Sequence, residues 1–370
     1  MKKFLFCSYP DFSDNALSLF RYMIREKING EYIWLYSDAE SINFVEFLYD
    51  ENNNCDVKLI KKNTFVGMWH YLSANYIFTT HGMFEKFPIL PWQKKINLWH
   101  GMPLKKIGAL LSENVNMHMT YSISNGKIFD KYISNSFGLD DNQVLKVGSP
   151  RNDLLFQRRT FNFNSIFKDQ NPVIAWLPTY RKTNIGVDRE DGLYLKNSIS
   201  GLTLDDFVLL NETLVKIKKN ILIKLHPMDI LNDNIFLLEN INSFSNIKIS
   251  SKKNDLFPHR LLYQVLQNTD SLITDYSSIY FDYLLLDKPI GLFIHDLDNY
   301  SKSRGIIDEV KEQYSGFKIS DIDSFLEFLN MDSERRLIEI VKLKKVKKVF
   351  QSYDKSGYNC KEMLKLLDIK

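Results

Sequence analysis

An α/β protein with two Rossmann-like halves, each built on a parallel sheet, is what this sequence predicts. Three observations lead there. Short apolar, strand-like runs alternate with helical patterns along the whole chain, and strands interleaved with helices imply parallel sheets with crossovers. At 370 residues the chain is longer than one ordinary core sustains, which suggests two domains. A polar stretch, Arg158-Arg159-Thr160-Phe161-Asn162-Phe163-Asn164, precedes Asn171-Pro172 and breaks the alternation near its middle.

In the first half the expected strands are residues 3–7, 32–36, 57–60, 76–79, 96–99, 119–123 and 144–147. In the second they are 173–177, 221–225, 247–250, 271–274 and 290–294, with a last run at 317–320 after the Ser315-Gly316 turn. The domains drawn this way are residues 1–158 and 171–334, followed by a basic helical segment, 335–370. Two such halves would hold an active site in the cleft between them. Neither half has G-x-G-x-x-G after its first strand and there is no Walker P-loop, which argues against dehydrogenase and P-loop chemistry.

Composition narrows the class. Hydrophobic residues at 44% and charged residues at 25% are the balance of a soluble globular enzyme. A formal net charge of +3 is too small for a surface given over to nucleic acid, so no nucleic-acid partner is expected. Cys7, Cys55 and Cys360 are odd in number and far apart. They form neither a disulfide framework nor a metal cluster, and they fit a reducing compartment. The apolar start, Met1 to Cys7, gives way to Ser8-Tyr9-Pro10-Asp11 too soon for a signal peptide, and no run approaches the ~18 apolar residues of a membrane span. The expected location is the cytoplasm. In 335–348, Arg335, Arg336, Lys342, Lys344, Lys345, Lys347 and Lys348 are interspersed with Leu337, Ile338, Ile340, Val341, Leu343 and Val346. A helix there would be cationic and amphipathic, either packing with a solvated face or resting on an anionic membrane surface.

The chemistry-bearing residues gather at strand ends. Ser271-Leu272-Ile273-Thr274 reads as a buried strand, Asp275-Tyr276-Ser277-Ser278 as a polar turn, and Ile279 onward as an apolar helix carrying Asp282. Backbone N–H groups and hydroxyls at a helix start suit an anion, usually a nucleotide phosphate at the carboxyl end of a strand; simple helix capping is the alternative. His100, in Trp99-His100-Gly101-Met102-Pro103-Leu104-Lys105, sits where a strand ends, and imidazole suits proton transfer near neutral pH; anchoring the loop is its other reading. Lys105 and Lys106 would suit an anionic acceptor. Ile221-Leu222-Ile223-Lys224-Leu225-His226-Pro227 repeats the arrangement, with His226 facing a phosphate or anchoring its loop. Arg181, in Pro178-Thr179-Tyr180-Arg181, follows a strand and is either a phosphate grip or an ion pair. Arg151, in Gly148-Ser149-Pro150-Arg151-Asn152-Asp153, orients a turn, and Arg304 stands on a further loop. Asp296-Leu297-Asp298, beside His295, is too common a pattern to carry a metal site, and none is expected. His70, His81, His118 and His259 follow no spacing that suggests one.

Taken in order, Trp99-His100-Gly101-x-Pro-Leu-Lys105, Gly148-x-Pro-Arg-Asn-Asp153, Pro178-Thr-Tyr-Arg181, His226-Pro227, Asp275-Tyr-Ser-Ser278 with Asp282-Tyr283, Lys288-Pro289, and Asp296…Tyr300…Arg304-Gly305 resemble the CDP-glycerol glycerophosphotransferase family. These are the enzymes of teichoic-acid and capsule synthesis that move glycerol phosphate or ribitol phosphate. The resemblance spans about residues 75–310. It implies a GT-B fold, with the nucleotide donor held mainly by the second half and the acceptor reached through the first. It implies transfer of glycerol phosphate from CDP-glycerol to a hydroxyl of a lipid-linked or growing surface polymer, releasing CMP, with no further cofactor. By motif match His100 is the base, His226, Ser277 and Ser278 lie at the donor phosphates with Arg181 and Arg304, and Lys105, Thr179, Asp275 and Asp282 are further site candidates. CDP-ribitol as donor, a GT-B glycosyltransferase using a nucleotide sugar, a nucleotide-sugar epimerase or hydrolase, and a non-catalytic binding protein are the competing expectations. Donor selectivity and the need for His100 separate them.

Overall fold

The structure is a computed structural model that describes residues 1–38, 56–81, 87–111, 117–183, 189–190, 197–226, 228–252, 254–257 and 261–370. Cys55, Pro227 and His259 lie outside the described residues. The chain forms two compact units: Met1–Pro103, Ile107–Gln157 and Val349–Lys370 make the first, and Leu104–Lys106 with Arg158–Lys348 the second.

The first unit is a seven-stranded, wholly parallel sheet of β1 (Lys3–Cys7), β2 (Glu31–Tyr36), β3 (Val57–Lys61), β4 (Tyr76–Thr79), β5 (Lys94–Asn97), β6 (Tyr121–Ser124) and β7 (Val144–Lys146). Their spatial order is β3-β2-β1-β4-β5-β6-β7. The central strands are apolar on both faces because helices cover both. Leu5, Cys7, Ile33, Leu35 and Ile77 pack with Tyr71 and Ala74, at the end of the helix Phe65–Ser73. On the other face Phe6 stacks on Trp34 and meets Phe20 of the helix Asp14–Arg25 edge-on, at 5.3 Å between centroids.

The second unit is a six-stranded parallel sheet of β8 (Val173–Leu177), β11 (Asn220–Lys224), β12 (Ile247–Ser250), β13 (Ser271–Thr274), β14 (Ile290–Phe293) and β15 (Phe317–Ile319), ordered β12-β11-β8-β13-β14-β15. Trp176 sits at its centre against Phe207, Phe293 and Phe325. A two-residue antiparallel pair, β9 (Lys182–Thr183) with β10 (Arg189–Glu190), is an addition the sequence did not signal.

Every expected strand is present, as the local apolar pattern dictates. The boundaries of β5 and β6 differ by about two residues from expectation. Asn97 ends β5 because Trp99 takes a left-handed φ of 49°, which a strand cannot continue through. In each sheet the strand order reverses once, between β1 and β4 and between β8 and β13. Ligands of parallel sheets bind outside the carboxyl ends of the strands at such switch points.

The basic segment forms the helix Ser333–Phe350, followed by Asn359–Leu366. Its apolar residues do not segregate to one face as an amphipathic helix requires. Leu343 and Phe350 are buried while Leu337, Ile338 and Val341 are exposed. Arg336 and Lys347 pair with Asp270 and Asp287. The last helix belongs to the first unit, where the Asp153 carboxylate accepts the backbone N–H groups of Asn359 and Cys360 at 2.8 and 2.9 Å. No described helix is long and apolar enough to cross a membrane.

Candidate active site

In the first unit the loop after β5 is fixed by its backbone. Asn15, near the start of the helix Asp14–Arg25, donates from Nδ2 to the carbonyls of Leu98 and Trp99 at 3.0 and 2.9 Å. Its Oδ1 accepts the N–H of Arg151 at 3.1 Å. Arg151 Nη1 then donates to the His100 carbonyl at 3.1 Å and to Asp14 Oδ1 at 2.6 Å. Burial opposes ionisation of Asp14, but the Arg151 guanidinium outweighs it, with help from His100, and holds the carboxyl below its ordinary range. Arg151 therefore orients the His100 loop through its backbone, a firmer role than the turn chemistry read from its motif.

The exposed ring of His100 is also oriented. Its Nδ1 lies 3.3 Å from the Thr80 carbonyl, which can only accept. Nδ1 therefore carries a proton, and in the neutral ring Nε2 is the nitrogen with the lone pair. His81 stacks on this ring at 4.5 Å and 7°. No spacing in the sequence singles out His81. The available signal was that it follows β4, the strand beside β5, just as His100 follows β5.

In the second unit the switch point is tied shut by side chains. Asp275, just beyond β13, accepts the Thr179 N–H with both oxygens at 2.9 and 3.0 Å, and the Thr179 hydroxyl at 2.5 Å. Arg181 is buried among carboxylates. Nε and Nη2 donate to Asp296 at 2.7 and 3.2 Å, and Nη1 donates to Asp275 at 3.0 Å and to the Thr179 carbonyl at 2.9 Å. Its guanidinium carbon lies 5.2 Å from the ring centroids of both Tyr276 and Tyr300. Burial disfavours the charge, yet the two carboxylates raise its pKa above the ordinary value, so it stays cationic. Of the two readings open in the sequence, phosphate grip or ion pair, the structure shows the ion pair: all three guanidinium nitrogens donate within the protein. Asp296 of the Asp-x-Asp tripeptide is tied to Arg181, and among the described residues no group of three His, Cys, Asp or Glu side chains is placed to hold a metal ion. Asp282 is buried and accepts the Tyr263 hydroxyl at 2.6 Å. Thr179, Asp275 and Asp282 are thus tied into the framework of the second unit.

Ser277 and Ser278 are half-buried in the turn between β13 and the helix Ile279–Tyr283. Ser277 Oγ receives the Ile279 N–H at 3.4 Å, a long capping contact. The helix is five residues, continued by a 3-10 turn at Leu284–Leu286. Its dipole is small, so hydroxyls and turn N–H groups are the main donors on offer. His226, two residues beyond β11, is exposed. Its Nδ1 accepts the Met228 N–H at 3.1 Å, its carbonyl accepts from Asp229 N and Asn232 Nδ2 at 2.9 Å each, and its ring lies 5.0 Å from Tyr180. The proton is therefore on Nε2, a donor. Burial pushes the neighbouring Asp229 up to about 6, against its bond from the Leu231 N–H and the charge of Arg181. Lys105 falls in the second unit, where Leu104 and Lys106 exchange backbone hydrogen bonds with Ile307 and Gly305, and its Nζ lies 5.3 Å from the Tyr300 ring. Arg304 ends the helix Leu297–Arg304; its side chain lies outside the described residues.

Each unit thus presents a histidine beyond a strand end, and the second also a polar turn at its switch point. The model of the family described as CDP-Glycerol:Poly(glycerophosphate) glycerophosphotransferase matches residues 1–364. The chain belongs to this family. Over 250 residues it is 28% identical to the teichoic acid glycerol-phosphate primase of Bacillus subtilis (strain 168), covering 63% of this chain and 58% of that protein. It is 22% identical over 346 residues to the teichoic acid ribitol-phosphate polymerase TarK of Staphylococcus aureus (strain NCTC 8325 / PS 47), covering 87% and 60%. The chain thus spans about three fifths of the length of these two glycerophosphotransferase-family relatives. A solved structure of the wall teichoic acid polymerase TagF superposes with a TM-score of 0.76 at 21% identity, covering 99% of this chain and 88% of that one. That likeness carries the GT-B-like fold, with two parallel-sheet α/β domains.

Proposed function

We propose that this protein transfers glycerol phosphate from CDP-glycerol to a hydroxyl of a lipid-linked or growing cell-surface polymer of the teichoic-acid or capsule type, releasing CMP. The acceptor oxygen attacks the phosphorus bearing glycerol, the bond from that phosphorus to the CMP oxygen breaks, and the hydroxyl proton passes to Nε2 of His100. One observation carries the assignment of the base: the Nδ1–H of His100 is directed at the Thr80 carbonyl, leaving Nε2 as the acceptor. A positioned base commonly contributes ~10²–10⁴-fold. CMP is already a competent leaving group, so the donor side needs charge stabilisation above all. The Nε2–H of His226, the hydroxyls of Ser277 and Ser278 and the side chain of Arg304 supply it in this reading; one such donor is typically worth ~3 kcal/mol in the barrier. Arg181 acts by holding Asp275 and Asp296 in place, and Lys105 by its charge.

The test is CMP release from CDP-glycerol by the full chain with a lipid-linked acceptor, preceded by thermal shift with CDP-glycerol, CDP-ribitol, CMP and UDP- and GDP-sugars. A ligand at ~100 times its Kd stabilises by about 2.7 kcal/mol. Stabilisation by CDP-glycerol is expected. A response to CDP-ribitol alone would reassign the polyol, and a response confined to UDP- or GDP-sugars would overturn the reading in favour of a glycosyltransferase.

The same reading places the protein at the inner face of the cell membrane. The exposed Leu337, Ile338 and Val341, beside exposed Lys342, Lys344, Lys345 and Lys348 on the helix Ser333–Phe350, support contact with an anionic lipid surface. Each lysine near such a surface adds about 1 kcal/mol. Salt-sensitive co-sedimentation with anionic vesicles, and none with neutral ones, is the expected result.

A further inference from the structure

His81 is not part of the reading just given, yet its ring stacks directly on that of the base. Thr79 of β4 lies opposite Asn97 of β5, so Thr80-His81 and Leu98-Trp99-His100 leave the sheet side by side. Thr80 serves both histidines: its carbonyl takes the Nδ1–H of His100 at 3.3 Å, and its hydroxyl is hydrogen-bonded to Nδ1 of His81 at 3.0 Å. That hydroxyl also accepts the Tyr9 N–H at 3.3 Å, which ties the pair to the end of β1. The two imidazoles are stacked and nearly parallel, 4.5 Å apart between centroids and 7° between planes, and the Trp99 ring centroid lies 4.2 Å from that of His100.

We propose that His81 is a positioning residue for His100: a stacked imidazole, anchored through Thr80, that fixes the ring plane and keeps Nε2 aimed for proton transfer. The proposal rests on the reading of His100 as the base.

The electrostatics agree with the geometry. Tyr9 meets His81 edge-on at 5.5 Å, and Asp14, Lys62 and His100 are the charged or titratable groups whose fields it feels. Burial, and next the proximity of His100, push His81 down to about 4; Asp14 opposes this and Lys62 adds to it. At neutral pH His81 is therefore uncharged. Two stacked imidazoliums would repel each other, so a proton taken at this pair resides on the exposed ring of His100. An exposed side chain ordinarily samples several rotamers, and a base works only when it is held near its productive geometry. A neutral aromatic face on a rigid strand end supplies that hold without competing for the proton.

The test uses the full chain with His81→Ala, which removes the face, and His81→Phe, which retains it. In the protein with isotope-labelled histidines, the His100 Hε1 resonance is expected to move in His81→Ala as the ring current is lost, and to stay near its place in His81→Phe. Turnover of the CDP-glycerol reaction is expected to fall roughly 10–100-fold in His81→Ala with the donor KM unchanged, and to recover largely in His81→Phe. An unmoved His100 resonance in His81→Ala, or wild-type turnover in that variant while His100→Ala is inactive, would overturn the proposal. Normal turnover in His100→Ala would remove the base reading instead, and the resonance alone would then decide whether His81 holds the ring.

Discussion

His100 and His226 stand in comparable places: each follows a buried parallel strand, each is exposed, and each is held by a backbone group at Nδ1. The sense of that bond differs. In the first unit a carbonyl faces Nδ1 and the ring offers a lone pair at Nε2; in the second a backbone N–H faces Nδ1 and the ring offers a proton. The same side chain becomes a base in one sheet and an anion donor in the other, through the direction of a single second contact. The supports differ as well. His100 is steadied by a neighbouring imidazole and by Asn15 and Arg151, whereas His226 sits on a turn built from Asp229 and Asn232 beside the buried Arg181 cluster.

The comparison breaks most readily at His100. His100→Ala should lower turnover by roughly 10²–10⁴-fold while donor binding, measured by calorimetry, is nearly unchanged; near-normal turnover would end the base assignment. Next in size is Arg181→Met, which leaves Asp275 and Asp296 buried without their cation. A loss of about 3–5 kcal/mol in unfolding free energy is expected, and a variant of wild-type stability with weakened donor binding would return Arg181 to the role of a phosphate ligand. His226→Ala should weaken CDP-glycerol binding by roughly 10–100-fold, the worth of a hydrogen bond to a charged group, and slow transfer. Unchanged values for both would rule out its contact with phosphate.

The smallest effect tests the turn that carries His226. Asp229 has a folded pKa of about 6 against an ordinary 3.8, so its protonated form suits the folded chain better. It therefore costs stability above pH 6, and the cost fades as pH falls through 6 towards 4. Asp229→Asn can still accept the Leu231 N–H. It should gain ~1–3 kcal/mol at pH 7 and nothing by about pH 4; an equal gain at both values would mean that the carboxyl's charge is not the cause.

Much of this molecule was legible in its residues. The apolar runs located every strand of both sheets, because burial on both faces writes a continuous local pattern. The motifs fell at strand ends as expected, since His100, His226 and Asp275 each follow such a run directly. Arg181 was legible only as a choice between two roles, for a physical reason. An arginine after a strand looks the same in sequence whether it faces a ligand or a carboxylate, and its partners Asp275 and Asp296 lie 94 and 115 residues away. His81 was overlooked because nothing local relates it to His100. The helix Ser333–Phe350 read as amphipathic because charges and apolar residues alternate in it, but packing buried Leu343 and Phe350 and left Leu337, Ile338 and Val341 outside.

By itself the sequence determined the α/β class, the positions of the strands and the residues delivered to their carboxyl ends, for all of these follow from periodicity and turn chemistry within a few residues. The tertiary structure alone decided what each delivered residue can do. The order β4-β5 set Thr80 and His81 against His100, and the order β8-β13 set Asp275 against Thr179 and Arg181. Strand order and register join positions far apart in the chain, and a proton's place on an imidazole depends on the one atom that those choices bring within reach.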